Sequence, residues 1–213
     1  CIRSLHILNG VNIKEAVGLG KLEIADDKVL SASLTDGSDI NVDFVIVGIG
    51  ITPNTELAEG ANLKINNGIF INDKCQTSVS NIYAAGDCTS FEYKDTLVRL
   101  ESVGNAIDQA TIVAQNIMKQ NTNYIPKPWF WSDQYDLKLQ IAGLNTGYDD
   151  VVVRKGKNKQ VSHWYFKGQS LLAVDALNDP RCYMIGKRLI EENKSPPKNQ
   201  LRDENFNLKV LLK

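Results

Sequence analysis

The sequence predicts two kinds of structure in succession, an α/β part followed by an α+β part built on an antiparallel sheet. Three observations carry this. Phe44-Val45-Ile46-Val47 is a continuous apolar run ending at Gly48-Ile49-Gly50, the composition of a parallel strand buried on both faces. Ile82-Tyr83-Ala84-Ala85 is a second such run, ending at Gly86-Asp87 and followed by a long amphipathic helix pattern. Beyond Pro126 and Pro128, short alternating runs are separated by Gly147, Gly156 and Gly168, the pattern of antiparallel strands joined by turns.

Taken in order, residues 18–50 read as a hairpin feeding a buried strand. Lys21 to Ile24 is a short strand, Asp26-Asp27 turns the chain, and Lys28 to Thr35 alternates apolar and polar residues. Asp36-Gly37 is a second turn signal. Ile69-Phe70-Ile71 is a short strand before Asn72-Asp73. Glu101 to Lys119 places Val103, Ala106, Ile107, Ala110, Val113, Ala114, Ile117 and Met118 at the spacing of one helical face. Asn121 to Pro128 breaks that pattern and predicts a domain boundary. From 129 to 177, Leu137, Leu139 and Ile141 alternate with polar residues, and Val151–Val153, Val161–Phe166 and Leu171–Val174 follow as strands. A helix over about Arg181–Glu191 begins at Asp179-Pro180 and is stopped before Ser195-Pro196-Pro197.

Composition removes several function classes. The formal net charge of −1 on 213 residues gives no electrostatic reason to expect nucleic acid or an anionic membrane surface as partner. No apolar run approaches the ~20 residues of a membrane span. Cys1, Cys75, Cys88 and Cys182 form no C-x-x-C or metal-type pair, so reduced thiols in a cytoplasmic protein are expected, with no metal site. The chain opens Cys1-Ile2-Arg3-Ser4, without methionine or an apolar leader segment, which suggests a piece of a longer product.

The chemistry-bearing segments are four. A strand ending in Gly86-Asp87 puts a carboxylate at the carboxyl edge of an α/β sheet, where ligands bind; glycine admits close backbone approach, and aspartate accepts hydrogen bonds from sugar-like hydroxyls. Gly48-Ile49-Gly50-Ile51-Thr52-Pro53-Asn54 is a flexible turn after a strand and departs from G-x-G-x-x-G at Pro53. Leu100-Glu101-Ser102-Val103-Gly104-Asn105-Ala106 opens the long helix, whose N-terminus carries free N–H groups and roughly half a positive charge. Trp129-Phe130-Trp131-Ser132-Asp133-Gln134-Tyr135-Asp136 sets three aromatics beside polar residues, which by themselves read as core.

Together these resemble known proteins. Thr77-Ser78-Val79-Ser80-Asn81-Ile82-Tyr83-Ala84-Ala85-Gly86-Asp87 resembles the second FAD-binding signature of the pyridine-nucleotide-dependent flavoprotein reductases. Pro128-Trp129 through Tyr135 resembles the signature of the oxygenase-coupled ferredoxin reductases, the putidaredoxin and biphenyl-dioxygenase reductase group. The likeness runs from about Gly37 to Pro180-Arg181.

The resemblance implies the C-terminal half of an FAD-dependent NAD(P)H:ferredoxin reductase. It implies the end of an NAD(P)-binding Rossmann-like domain at 1–51, the second segment of an FAD-binding Rossmann-like domain at 52–125, and a C-terminal reductase domain at 126–213. It implies hydride transfer from NAD(P)H to FAD, then single electrons to a [2Fe–2S] ferredoxin, with no side chain acting as nucleophile. Asp87, after Gly86, would hold the ribityl chain of FAD. The backbone at Glu101, Ser102 and Val103 would support the flavin edge, Trp131 would cover the ring, and Gly50 and Glu101 would border the nicotinamide. Lys94, Arg99 and Lys138 are candidate docking cations for an acidic ferredoxin. A homodimer is left open.

The glycine loops that hold both pyrophosphates are missing from these residues; Gly18-Leu19-Gly20 is followed by Lys21-Leu22-Glu23. At best weak FAD binding is therefore expected from this polypeptide alone. The dithiol branch needs a His–Glu pair, and neither His6 nor His163 has Glu at short spacing. Two alternatives remain: an apoptosis-inducing-factor-like flavoprotein acting through partner binding, against which the compact C-terminal part speaks, and an inactive interface fragment.

Overall fold

The computed structural model describes residues 2–157 and 159–212, so Cys1 lies outside the described residues. The chain divides into two compact units, one up to Thr52 and one from Pro53 onward.

The first unit opens with a short helix, α1 (Ile2–Leu8), not anticipated from the sequence, and continues as an antiparallel sheet of β1 (Leu19–Ala25), β2 (Lys28–Leu34) and β3 (Asp39–Asn41) in that order. The first turn is where the sequence places it, with Asp26 and Asp27 both at positive φ, 48° and 58°, as a two-residue hairpin of matching twist requires. At the second turn Asp36 accepts from the backbone N–H of Ser38 at 2.9 Å, from the Ser38 hydroxyl at 2.6 Å and from Lys14 Nζ at 3.0 Å. These donors hold its carboxyl well below the usual carboxylate range.

The run Phe44–Val47 corrects the sequence reading. It pairs with no strand among the described residues and is not buried: Phe44 is 72% exposed and Ile46 85% exposed. Its apolar character is that of a parallel strand, but such a strand draws both its hydrogen-bond ladder and its cover from elements remote in sequence, and the first unit provides none.

The second unit begins with α2 (Glu56–Gly60). Its first sheet is small: β4 (Ile69–Phe70) pairs parallel with β5 (Thr89–Tyr93), which pairs antiparallel with β6 (Thr96–Val98). Ile82–Ala85 is a second correction: it forms no strand, only an isolated bridge from Tyr83 to Gln76, and is half-buried. The helix α3 (Val103–Ile117) forms as predicted, with Ser102 as its cap, but of its predicted apolar face only Ala106 and Val113 are turned inward. Val103, Ile107, Ile117 and Met118 are 60%, 60%, 62% and 72% exposed. The inward face carries the amides Asn105 and Gln109 together with Ile112 and Val113, packed against Ile71, Cys75, Phe91 and Tyr124.

The C-terminal part is a five-stranded antiparallel sheet in the order β7-β8-β11-β10-β9, formed by β7 (Trp129–Gln134), β8 (Leu137–Gly143), β9 (Asp150–Lys155), β10 (Val161–Lys167) and β11 (Ser170–Leu177). One face is covered by α4 (Pro180–Glu191), whose cap Asp179 accepts from the Cys182 N–H at 3.0 Å. The helix lies so close that a Cβ on Gly186 would stand 2.6 Å from Val174 Cγ2. Trp164, Phe166, Val174, Ile185 and Leu189 form the core between them. Arg154 latches the chain end: its guanidinium donates to the carbonyls of Leu201, Asp203, Glu204 and Phe206, which join α5 (Lys198–Arg202) to the 3₁₀ turn Leu208–Leu212. No helix among the described residues is long and apolar enough to cross a membrane.

The thiols of Cys75 and Cys182 are 0% and 3% exposed, and burial pushes each up to about 12. A raised thiol pKa contributes stability that is present below the ordinary thiol value of ~8.5 and is lost as pH rises toward 12. Two outcomes are expected. A maleimide modifies neither thiol at neutral pH until denaturant is added, and alkaline unfolding begins above pH ~9, seen by circular dichroism. Modification of Cys75 or Cys182 in the folded chain at neutral pH would contradict the burial.

Candidate functional site

The site is built where α3 begins. Upstream of it, Gly86 takes a left-handed φ of +89° and Asp87, next to it, is exposed. This turn is tied to α3 by one side chain. Gln109, with no exposed surface, accepts through Oε1 from the Gly86 N–H at 2.7 Å and lies 2.9 Å from the Thr89 hydroxyl. That hydroxyl also lies 2.8 Å from the Gly86 carbonyl. Gln109→Leu leaves the buried Gly86 N–H without its acceptor, while the Thr89 hydroxyl keeps the Gly86 carbonyl, at a cost of ~1–3 kcal/mol for the unmet group. Thermal denaturation of the variant is expected to show that loss, and hydrogen exchange at Gly86 is expected to accelerate. Unchanged exchange there would mean that the turn does not depend on Gln109.

A second tie runs over the surface of the turn. Arg99 Nη1 donates to the Asp87 carbonyl at 3.5 Å and to Glu101 Oε1 at 2.6 Å. The Arg99 side chain is only 11% exposed, so Arg99 is a brace between two site residues and not a docking cation, which corrects the sequence reading. Lys94 and Lys138 are both exposed. Ser102, extended at φ −148°, accepts from the Asn105 N–H, and Val103 begins the helix with its side chain exposed.

The aromatic run meets this helix start through Trp129. A Cβ on Gly104 would stand 2.4 Å from Trp129 Nε1 and 2.8 Å from Cε2, so only glycine lets the indole lie there. Trp131 stacks on Trp129, with ring centroids 5.4 Å apart and planes 23° apart, and is itself 42% exposed. Beside them opens a cavity of about 320 Å³, within the range of small-molecule sites. Its walls are Leu100, Glu101 and Ser102 on one side, Trp129 and Phe130 on another, Ile141 and Asp175 on the open face of the sheet, and Asn145 from the loop after β8. Tyr165 donates its hydroxyl to Asp175 Oδ2 at 2.8 Å. Burial pushes the Asp175 carboxyl above the usual carboxylate range, and burial followed by the Asp175 hydrogen bond raises the Tyr165 phenol to about 12.

The second unit thus brings together Glu101, Ser102 and the Trp129–Trp131 stack, with Gly86 and Asp87 tied to them through Gln109 and Arg99. Gly50, at φ +92° with open space around its α-carbon, belongs to the first unit. Sequence reasoning did not single out Gln109, Asp175 or Tyr165, read Arg99 as a docking cation, and gave the ring contact to Trp131 rather than Trp129. One signal was present: Asn105 and Gln109, four apart, put two amides on a single face of a helix.

The profile of the pyridine nucleotide-disulphide oxidoreductase family matches residues 1–110, and that of a reductase C-terminal domain matches residues 129–212. The chain belongs to the pyridine nucleotide-disulphide oxidoreductase family. Among members of this family, the rhodocoxin reductase of Rhodococcus erythropolis is 38% identical over 97% of this chain and 49% of its own length. The putidaredoxin reductase of Pseudomonas putida is also 38% identical, over 98% of this chain and 50% of its own. A solved ferredoxin reductase for the CYP199A2 system from Rhodopseudomonas palustris superposes with a TM-score of 0.93 at 34% identity, covering 98% of this chain and 52% of that one. The covalent putidaredoxin reductase–putidaredoxin complex also gives 0.93, at 38% identity over 99% and 52%. The chain spans about half the length of the curated relatives it matches.

The family's flavin can be tested against the residues present. A cavity bounded by a helix start and a tryptophan brought close by glycine fits a flat ring that gains negative charge. The pyrophosphate-holding glycine loops are not among the 213 residues.

Proposed function

We propose that this chain is the C-terminal half of an FAD-dependent NAD(P)H:ferredoxin reductase, in which a [2Fe–2S] ferredoxin is the electron acceptor. The observation that supports this most is the seating of Trp129 on the start of α3, beside a cavity open to Glu101 and Ser102. In this reading residues 1–51 complete an NAD(P)-binding Rossmann-like domain, 52–125 form the second segment of an FAD-binding one, and 126–213 are the reductase domain. The exposed run at 44–47 and the exposed apolar face of α3 suit elements whose sheets are finished by other residues. Free thiols at Cys75, Cys88 and Cys182 suit a cytoplasmic parent.

FAD, when bound, supplies the conversion of a two-electron hydride into single electrons. The residues of this chain bind and orient. Asp87 accepts from ribityl hydroxyls, with the Gly86 turn held in place by Gln109. The N–H groups at the start of α3, from Ser102 and Val103, favour negative charge on the pyrimidine edge. Trp131, the ring-covering residue expected from the sequence, stacks behind Trp129, and it is Trp129, on the cavity wall, that in this reading covers the ring and excludes water. Glu101, fixed by Arg99, borders the nicotinamide.

The test is titration of the chain with FAD, read by quenching of tryptophan emission, with Trp129→Phe as comparison. Weak, saturable quenching that falls in the variant is expected. No quenching even at millimolar FAD would overturn the placement of the flavin here.

A further inference from the structure

The cavity at α3 holds two carboxyls with unlike surroundings. Glu101 comes from the helix start, and Arg99 on the same wall is committed to it at 2.6 Å. Asp175 comes from β11. Its neighbour Val174 packs against α4, so Asp175 points to the opposite face of the sheet, where it is half-buried in the cavity wall. His163 stands directly across the ladder on β10, and Tyr165, two residues on, donates its hydroxyl to Asp175 Oδ2 at 2.8 Å. Across the other ladder, on β8, stands the uncharged Ile141. Tyr165 is itself held edge-on by Tyr148, ring centroids 5.1 Å apart, with Asn145 beside its hydroxyl. Asp175 forms no ion pair among the described residues, and His163 acts on it through its field alone.

This difference bears on the chemistry proposed above. A hydride carries two electrons and one proton. NAD(P)H and two oxidised [2Fe–2S] ferredoxins give NAD(P)+, two reduced ferredoxins and one proton. The electrons leave singly to the iron–sulfur acceptors; the proton does not go with them and needs an acceptor of its own at the cavity. Burial raises the proton affinity of Asp175 above that of an ordinary aspartate. A carboxylate so placed, in the wall of a cavity yet not sealed from solvent, takes a proton from a bound group and passes it to water.

We propose that Asp175 takes up this proton, one for each hydride, and that Tyr165 is a positioning residue that holds the carboxylate in the cavity wall. The bond that held the proton to the ring breaks as an O–H bond forms on Asp175. That O–H bond breaks in turn as the proton passes to water, and the carboxylate is restored. The inference rests on the reading of this chain as half of a flavin-dependent reductase.

The experiment is rapid-mixing infrared spectroscopy of the full chain with excess FAD, alongside the quenching titration, which reports separately whether FAD is held. The sample is reduced with stoichiometric dithionite and mixed with ferricyanide, a one-electron acceptor. A protonated-carboxyl band is expected to rise as electrons are lost and to decay as the proton reaches water. The band is expected to shift in D2O, and to shift when the aspartate carboxyls carry carbon-13, which separates Asp175 from Glu101 without any substitution. Asp175→Asn is expected to remove the band. Tyr165→Phe is expected to keep it at a changed frequency, because the hydrogen bond to the carboxyl is gone, a change that a merely structural pair would not produce. Circular dichroism establishes that both variants are folded. Quenching without the band, or with a band that ignores the aspartate label or survives in Asp175→Asn, overturns the role of Asp175 and leaves the flavin reading standing. Neither quenching nor band overturns both.

Discussion

Replacing Gly104 with alanine is expected to unseat Trp129. A Cβ at this position would come within 2.4 Å of the indole nitrogen and 2.8 Å of the adjoining ring carbon, and helix backbone on one side and β7 on the other leave no slack. Either α3 or the indole must move. Overpacking of this kind costs typically ~1–3 kcal/mol, set against a helix-propensity gain for alanine of no more than about 1 kcal/mol. Net loss of thermal stability is therefore expected. The more informative signal is local. Trp129 and Trp131 stack at 5.4 Å, and displacing one ring alters exciton coupling in the near-ultraviolet circular dichroism and shifts tryptophan emission. A variant with parental melting and an unchanged near-ultraviolet spectrum would show that the indole does not lie on the helix start. If the flavin placement is right, the same variant also loses the FAD-dependent quenching, because the cavity wall has moved.

Trp164→Ala is expected to have the largest effect on stability. Trp164 has no exposed surface and sits in the core between β10 and α4, and its indole N–H donates to Ser162 Oγ at 3.0 Å. Truncation of a buried tryptophan costs ~3–5 kcal/mol and leaves the fully buried Ser162 hydroxyl without that donor. Against the ~5–15 kcal/mol that stabilises an ordinary domain, this is enough to bring the sheet and its helix close to unfolding at physiological temperature. Urea denaturation followed by far-ultraviolet circular dichroism checks it. A midpoint within error of the parent would mean that this core does not govern the unit's stability.

Local chemistry made much of the fold legible. The Asp26-Asp27 and Asp36-Gly37 turns, the alternation in β8 to β11 and the Asp179-Pro180 helix start all act over a few residues, and each is found where the residues place it. What could not be read depends on partners far along the chain. Phe44–Val47 and Ile82–Ala85 have strand composition, but pairing is decided by neighbours that the pattern cannot see. The apolar stripe on α3 announces a buried face, yet here the amides point inward, because Gln109 meets Gly86 and Thr89, 23 and 20 residues upstream. Within the site, Glu101 and the aromatic run stood out as motifs, and their roles came from family resemblance. The sequence reading chose Trp131, whereas Trp129 lies on the cavity wall; alternation along β7 puts both on the same face and gives no means of choosing between them. Arg99 was legible as a charge and not as a brace, a role fixed by its burial against the Gly86-Asp87 turn.

The stretch from Phe44 to Ile51 has a practical side as well. It contains eight residues without charge or proline, and Phe44, Ile46 and Ile49 are 72%, 85% and 91% exposed. Backbone outside any strand ladder over residues 44–49, carrying β-branched side chains, is a template on which another copy can lay the same segment. Concentrated solutions of this chain should therefore scatter light and gain thioflavin fluorescence with time, and a single lysine in place of Ile46 should extend their shelf life, as gatekeeper charges do beside sticky strands.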